Sequence, residues 1–283
     1  MDALLPPDMA KKAEEVGIRK AGMDGVKMFV LAILAGAFIA FGAVFATTVA
    51  AGSAGSLLYG VQRLLVGTVF SLGLVLVIVG GAELFTGNSL IVMAWAGGRV
   101  SLTGLLRSWA IVFAGNFVGS VGTALLVFLA GHHAFDSGSA GLTALKIAES
   151  KLHFGFLQAV CLGILCNVLV CLAVWLTFSA RTTTDRILAV VPPIACFVAA
   201  GFEHSIANMY FVPFAWLIQI GATDSFWTSI GSSSETFAGI TWSAFLMRNL
   251  LPVTIGNVIG GGVFVGAVYW FIFLRLDAES EQP

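Results

Sequence analysis

Two carboxylates stand inside otherwise apolar stretches of this chain, and no other feature restricts its fold as tightly. Glu83 lies in Gly81-Ala-Glu-Leu-Phe-Thr-Gly-Asn88 and Glu203 in Gly201-Phe-Glu-His-Ser-Ile-Ala-Asn208. Both stretches fit G-x-E-x-x-x-[GA]-N. The second is preceded by an apolar segment from Ile187 to Ala200 and continued by another from Met209 to Ile218. In hydrocarbon such polar side chains are costly, and they mark a substrate or proton path by default. Two hydrophobic segments interrupted at matching places in two halves of a chain point to a transporter-type binding site.

The rest of the composition agrees with a membrane setting. Only 10% of the 283 residues are charged, and the mean hydropathy is +0.97, whereas a soluble domain carries about 25% charge. The fold expected is therefore all-α and integral to the membrane. The first 27 residues are largely polar with five Lys/Arg and lack a continuous apolar core, so no cleavable signal peptide is expected. Met9, Ala13 and Val16 share one helical face there, after Pro6-Pro7, so a short amphipathic helix at the membrane surface is expected. It serves as an anchor or as a gate and docking element for a cytoplasmic partner. Residues 28–274 form the membrane domain and 275–283 an acidic cytoplasmic tail. Cys161, Cys166, Cys171 and Cys196 all fall in predicted spans without a CxxC pair, and read as small buried apolar residues. His132, His133 and His153 have no metal-ligand spacing. No metal, cofactor or nucleic-acid partner is expected.

Six runs are long enough to cross a bilayer, which needs about 20 apolar residues. They are Met28–Ala50; Gln62 to Trp95, broken near residues 83–88; Trp109–Ala130; Phe154–Phe178; Ile187–Ile218, broken near Glu203; and Asn249–Phe273. A surface helix is expected over Ser139–Ile147. Ten of the 14 Lys/Arg lie in the N-terminal segment, the 2–3 and 4–5 links and the tail. The exceptions are Arg63, Lys146, Lys151 and Arg248. By the positive-inside rule both termini are cytoplasmic.

Internal matches indicate a repeat of three spans. Phe29-x-x-Ala32-x-x-x-Gly36 parallels Phe156-x-x-Ala159-x-x-x-Gly163, the two broken motifs correspond, and Arg107 precedes Asn116 as Arg248 precedes Asn257. A unit with an odd number of spans is inverted relative to its copy. Both breaks therefore meet near a pseudo-two-fold axis in the membrane plane. Gly115, Gly119, Gly163, Gly256 and Gly260 suit close helix approach.

At each break, backbone groups lose their intrahelical partners, so the break must be buried in protein or line a cavity. The half-helix that follows offers N–H donors and a partial positive charge to an anion. Thr86 and Ser205 add hydroxyls, and His204 adds a group that titrates near neutrality. Glu83 and Glu203 are expected to accept backbone N–H bonds at the breaks, with Asn88, Asn208 and Asn257 as structural neighbours. Asn167 is polar within span 4. Lys151 is either a surface loop lysine or a cation near an anion path. Phe70, Leu74, Leu84, Phe85 and Phe197 stand where constrictions belong.

The stretches GAELFTGN, LGILCNVLVCLAVW, GFEHSIANMY and NLLPVTIGNVIGGG resemble the signatures of the formate/nitrite transporter family. The likeness spans essentially the whole chain and is closest to the formate channels. It implies an aquaporin-like protomer with one pore, in a homopentamer of the inner membrane. By motif, His204 corresponds to the central histidine, Thr86 to the mobile loop at the first break, and Lys151 and Asn167 to residues associated with that histidine. Phe70, Leu74, Leu84, Phe85 and Phe197 correspond to the apolar constrictions. The expected function is movement of formate, with protonation at His204. Alternatives are a nitrite or hydrosulfide channel and a neutral-solute pore. No nucleophile, metal set or cofactor motif supports an enzyme.

Overall fold

The computed structural model describes residues 3–53 and 56–275; most of the expected acidic tail lies outside them. All regular elements among the described residues are helical. In chain order they are α1 (Pro6–Ala21), α2 (Gly25–Ala50), α3 (Tyr59–Gly80), α4 (Gly87–Ala96), α5 (Leu102–Leu129), α6 (Ser139–Leu152) and α7 (Phe156–Ser179). Then follow α8 (Thr183–Ala200), α9 (Ser205–Gly221), the short α10 (Asp224–Ser229) and the long α11 (residues 242–273). Six helices are long and apolar enough to cross a membrane, and α4 and α9 are the shorter apolar halves after the two breaks. The chain is an integral membrane protein.

Several boundaries differ from the sequence expectation. Helix α5 starts at Leu102 rather than Trp109, because Ser101 caps it by accepting the Gly104 N–H at 3.1 Å. Arg107 is thus helical, and it donates to the carbonyl of Met23 in the α1–α2 turn. Helix α6 continues past Ile147 to Leu152, so Lys151 sits in its last turn and is not a loop residue. Helix α11 begins before Asn249 and contains two π-helical stretches, Phe245–Leu250 and Ile259–Ala267.

The packing follows the repeat. Helix α2 lies along α5, α7 lies along α11, and α3 packs on α8. Without a hydrophobic driving force in lipid, helix pairs gain from close backbone approach at small residues. A Cβ on Gly119 would overlap the carbonyl oxygen of Ile33, and one on Gly260 that of Ile164. These matched clashes show that Ile33 and Ile164 are equivalent positions. The structural register of the first spans therefore differs from the sequence match of Ala32 with Ala159 by about one helical turn. A shift of one turn keeps the same helix face, so small residues on that face align almost equally well in either register.

The breaks themselves are satisfied in matched fashion. The left-handed glycines Gly81 (φ 78°) and Gly201 (φ 79°) end α3 and α8. The next extended residues donate to carbonyls of neighbouring spans: Glu83 N–H to Leu31 and Glu203 N–H to Leu162, both at 3.2 Å. Asn116 Oδ1 accepts the Phe85 N–H and Asn257 Oδ1 the Ser205 N–H, each at 2.9 Å. Asn116 Nδ2 donates to the carbonyls of Ala32 and Glu83, and Asn257 Nδ2 to those of Gly163 and Glu203. One asparagine per unit thus serves one backbone donor and two acceptors.

This corrects the expectation for Glu83 and Glu203. Their carboxylates do not take the backbone N–H groups; Asn116 and Asn257 do, because a primary amide carries both donors and an acceptor. Replacing Asn257 by the similarly sized Leu leaves the Ser205 N–H and the Glu203 carbonyl unpaired in the interior, at about 1–3 kcal/mol each, and removes the second bond to the helical Gly163 carbonyl. Asn257→Leu should lower the midpoint of thermal unfolding by about 10 °C or more. A purified Asn257→Leu complex that melts with the wild type would refute this account of the break.

Candidate functional site

Each break carries a buried ion pair, and the two are built alike. At the second, Lys151 Nζ lies 2.7 Å from Glu203 Oε1, while Asn208 Nδ2 donates to Glu203 Oε2 at 2.8 Å. At the first, Lys20 Nζ lies 3.0 and 2.9 Å from the two oxygens of Glu83 and 2.8 Å from Asn88 Oδ1. Asn88 Nδ2 in turn donates to Glu83 Oε2 at 2.8 Å. A lysine, a glutamate and the asparagine five positions on thus recur in both halves.

Lys20 is the functional residue that the sequence reading missed. It stands in the last turn of α1, as Lys151 stands in the last turn of α6. Both helices precede the first span of their unit. The repeating unit is therefore a surface helix followed by three spans, and α1 is more than an anchor. The findable signal was the lysine ending each leading helix. A three-span repeat leaves α1 out and hides it.

Between the ion pairs lies His204, the N-cap of α9. Its Nδ1 accepts the Ala207 N–H at 3.0 Å. A ring nitrogen that accepts a hydrogen bond carries no proton, so the neutral imidazole bears its proton on Nε2. Nε2 lies 3.0 Å from Thr86 Oγ1. The imidazole therefore donates to Thr86, whose hydroxyl keeps its own hydrogen for another acceptor. Phe197 stacks beside the ring at 5.9 Å and meets Phe70 edge-on at 5.8 Å.

Two cavities approach this pair from opposite sides. One, of about 850 Å³, is lined by Lys20, Glu83, Asn88, Leu74, Leu84 and basic residues of α1. The other, of about 540 Å³, is lined by Phe70, Phe197, Lys151, Glu203, His204 and Arg63. Phe70 faces one and Leu74 the other, so at α3 they are separated by about one helical turn. Thr86 is fully buried between them. Arg63 donates from Nε to the Ala199 carbonyl at 2.9 Å and from Nη2 to the Val198 carbonyl, capping the C-terminal end of α8 at the mouth of the second cavity. Lys151 lies over the Phe211 ring at 5.3 Å.

Not every expected residue faces a cavity. Phe85 lines neither; it packs edge-on against Phe113 and Trp109 at 5.0 and 6.1 Å. Its N–H is fixed by Asn116, which turns its ring away from Leu84. Asn167 makes no contact with the imidazole. Its Nδ2 donates to the carbonyls of Thr86 (3.2 Å) and Asn257 (2.6 Å) and approaches Ser89 Oγ. It is thus linked to His204 indirectly, through the Thr86 carbonyl and through Asn257, which holds the backbone on either side of the histidine. Ser205 is anchored by its N–H, while its Oγ has no hydrogen-bond partner among the described residues.

Comparison with known proteins matches this architecture. A profile of the formate/nitrite transporter family covers residues 7–271. The chain is 48% identical over 274 residues to formate channel FocA of Escherichia coli (strain K12), spanning 97% of this chain and 96% of that protein. It is 40% identical to formate channel FocA of Haemophilus influenzae, over 93% of each chain. Among solved structures it resembles a pentameric formate channel with formate bound (TM-score 0.84, 47% identity, 89% of this chain and 98% of that one). It also resembles an FNT family ion channel, with a TM-score of 0.78 and 29% identity, over 94% of this chain and 98% of that one. With its broken helices, twin ion pairs and central histidine, the chain belongs to the formate/nitrite transporter family.

Proposed function

We propose that this protein is a formate channel of the inner membrane, assembled as a homopentamer with both termini in the cytoplasm. The observation that carries the reading is the Thr86–His204 hydrogen bond between two cavities that each present a lysine. Support for the substrate and the assembly comes from the relatives, which are formate channels, and from the pentameric neighbour with formate bound. Support for the orientation comes from the basic residues clustered in the N-terminal segment and the 2–3 and 4–5 links.

The route runs from one lysine to the other. A small anion enters either cavity towards Lys20 or Lys151, whose charges are only partly consumed by their glutamates. Beyond them the path narrows at Leu74 and Leu84 on one side and Phe70 and Phe197 on the other. Carrying a bare charge past these apolar groups costs several kcal/mol or more. Protonating a carboxylate of pKa about 4 at pH 7 costs roughly 4 kcal/mol, at about 1.36 per pH unit. Crossing as the neutral acid is the cheaper course.

The proton moves along the bonds already present. The Thr86 hydroxyl donates its hydrogen to the anion and takes the Nε2 proton of His204, while a proton from cavity water arrives at Nδ1. That arrival displaces the Ala207 N–H, so uptake at His204 is coupled to loosening of the first turn of α9. After the acid has left, Nδ1 returns its proton to cavity water, Nε2 takes one from water through the Thr86 hydroxyl, and the Ala207 cap and resting tautomer are restored. Nitrite has the same charge and similar size, and competition between the two anions in one flux assay ranks them.

His204→Asn keeps a polar side chain but removes the titrating ring. In vesicles, proton-linked formate uptake should fall at least tenfold, and the residual flux should lose its pH dependence. A variant with wild-type rate and pH profile would refute the relay. Leu84→Ala should admit acetate at a rate well above wild type while formate flux persists; unchanged exclusion of acetate would assign Leu84 to packing. In detergent the complex should have five times the 29.6 kDa mass of the chain. A reporter fused within residues 221–241 should mark that loop as periplasmic, and a cytoplasmic signal would overturn the orientation.

A further inference from the structure

The two halves differ at one buried position beside their ion pairs. Arg107 and Arg248 occupy matching places before Asn116 and Asn257, so Ser108 corresponds to Asn249. Both are fully buried. Asn249 Nδ2 donates to the carbonyl oxygen of Lys151 at 3.0 Å and to Glu203 Oε2 at 3.2 Å. Its Oδ1 accepts from Asn208 Nδ2 at 2.7 Å. One side chain thus ties the end of α6, the carboxylate and the following asparagine together. Ser108 Oγ, by contrast, has no hydrogen-bond partner among the described residues.

The backbone differs at the same place. Asn249 lies in the π-helical turn Phe245–Leu250, whereas α5 is α-helical throughout the corresponding stretch. Isolated π turns are uncommon and recur at functional sites. The wider turn changes the direction of side chains relative to an α-helix. It goes with a side chain that reaches Lys151 and Glu203 at once.

We propose that Asn249 is the positioning residue of the outer ion pair, holding Lys151 by its own backbone carbonyl. A lysine ammonium sits on a flexible four-carbon stem, and its contact with a carboxylate does not by itself fix where the backbone stands. Asn249 fixes the backbone of Lys151 relative to Glu203, so the ammonium is presented into the cavity above Phe211. Among the described residues no side chain of α5 makes the matching bond to the Lys20 carbonyl: α5 reaches that turn only three residues on, where Arg107 donates to the carbonyl of Met23. Entry from the outside therefore meets a cation whose backbone is tied to its own carboxylate, and entry from the inside meets one without that bond. The consequence for flux rests on the formate reading, whereas the positioning itself does not.

The direct test is chemical. The purified complex is treated with a water-soluble amine-acylating reagent, and labelling of Lys151 is read by mass spectrometry against Lys146 on the same helix. Asn249→Ala should raise the Lys151/Lys146 ratio about tenfold. Asn249→Ser, which installs the residue of the inner half, should do the same. An unchanged ratio in both variants overturns the assignment, and so does failure of both to assemble. In vesicles of defined orientation, Asn249→Ala should raise the formate concentration for half-maximal uptake from the outer side about tenfold while the maximal uptake rate stays in place. Adding Asn249→Ala to Lys151→Met should change nothing further. A fall in the maximal uptake rate with the half-maximal concentration unchanged, or additive effects in the double variant, would show a general structural role and overturn it. A raised labelling ratio in a protein that moves no formate would retire the formate reading and leave Asn249 as assigned.

Discussion

The structure depends on how two lengths of non-helical backbone are kept satisfied where water is scarce. A broken helix in a membrane exposes donors and acceptors that lipid cannot bond. Here the answer is one asparagine amide per unit, Asn116 and Asn257, each reaching from the third span to the break and to the first span. That reach is short, so the first and third spans must touch backbone to backbone. The glycines at Gly119 and Gly260 follow from this demand. With both breaks held this way, their tips meet, and Thr86 of one is placed against His204 of the other.

A pseudo-symmetric frame does not require a symmetric site. Glu83 and Glu203, and Asn88 and Asn208, are equivalent and play the same parts. Leu84 and His204 occupy the next equivalent place and differ completely in chemistry. One is an apolar side chain lining the cavity of Lys20; the other is an imidazole that caps its half-helix and faces the cavity of Lys151. Phe85 and Ser205 share the N–H anchored by the asparagine, which explains why Phe85 is buried against Phe113 and Trp109. The scaffold repeats, while differences at single positions put an apolar side chain beside one cavity and an imidazole beside the other.

The charged groups follow the same logic of compensation. A buried carboxylate without partners is very costly, and each glutamate here has a lysine and an asparagine. In both halves the lysine comes from the helix that lies before the membrane domain of its unit. The ion pair therefore does two things: it gives the carboxylate a partner inside the protein, and it draws the surface helix onto the cavity mouth. On the α1 side this links an otherwise peripheral segment to the cavity beside Glu83.

The sequence alone determined what local chemistry can determine. Span lengths follow from runs of apolar residues, the breaks from glycine followed by a carboxylate in such a run, and the inversion from an odd number of spans per unit. His204 and Thr86 were legible because polar groups in hydrocarbon need a reason. What the sequence left open depended on contacts between distant segments. Whether Glu83 bonds backbone or Lys20, whether Asn167 touches the imidazole or the Thr86 carbonyl, and which way Phe85 turns are set by which helices meet. The register of α2 against α7 was misread by one turn because a shift along the same helix face preserves the pattern of small residues. The role of Asn249 was invisible because it depends on a π turn, a change in helix winding that residue types do not announce. Local pattern fixes where a helix runs and stops; only packing decides which of its side chains reach the same point.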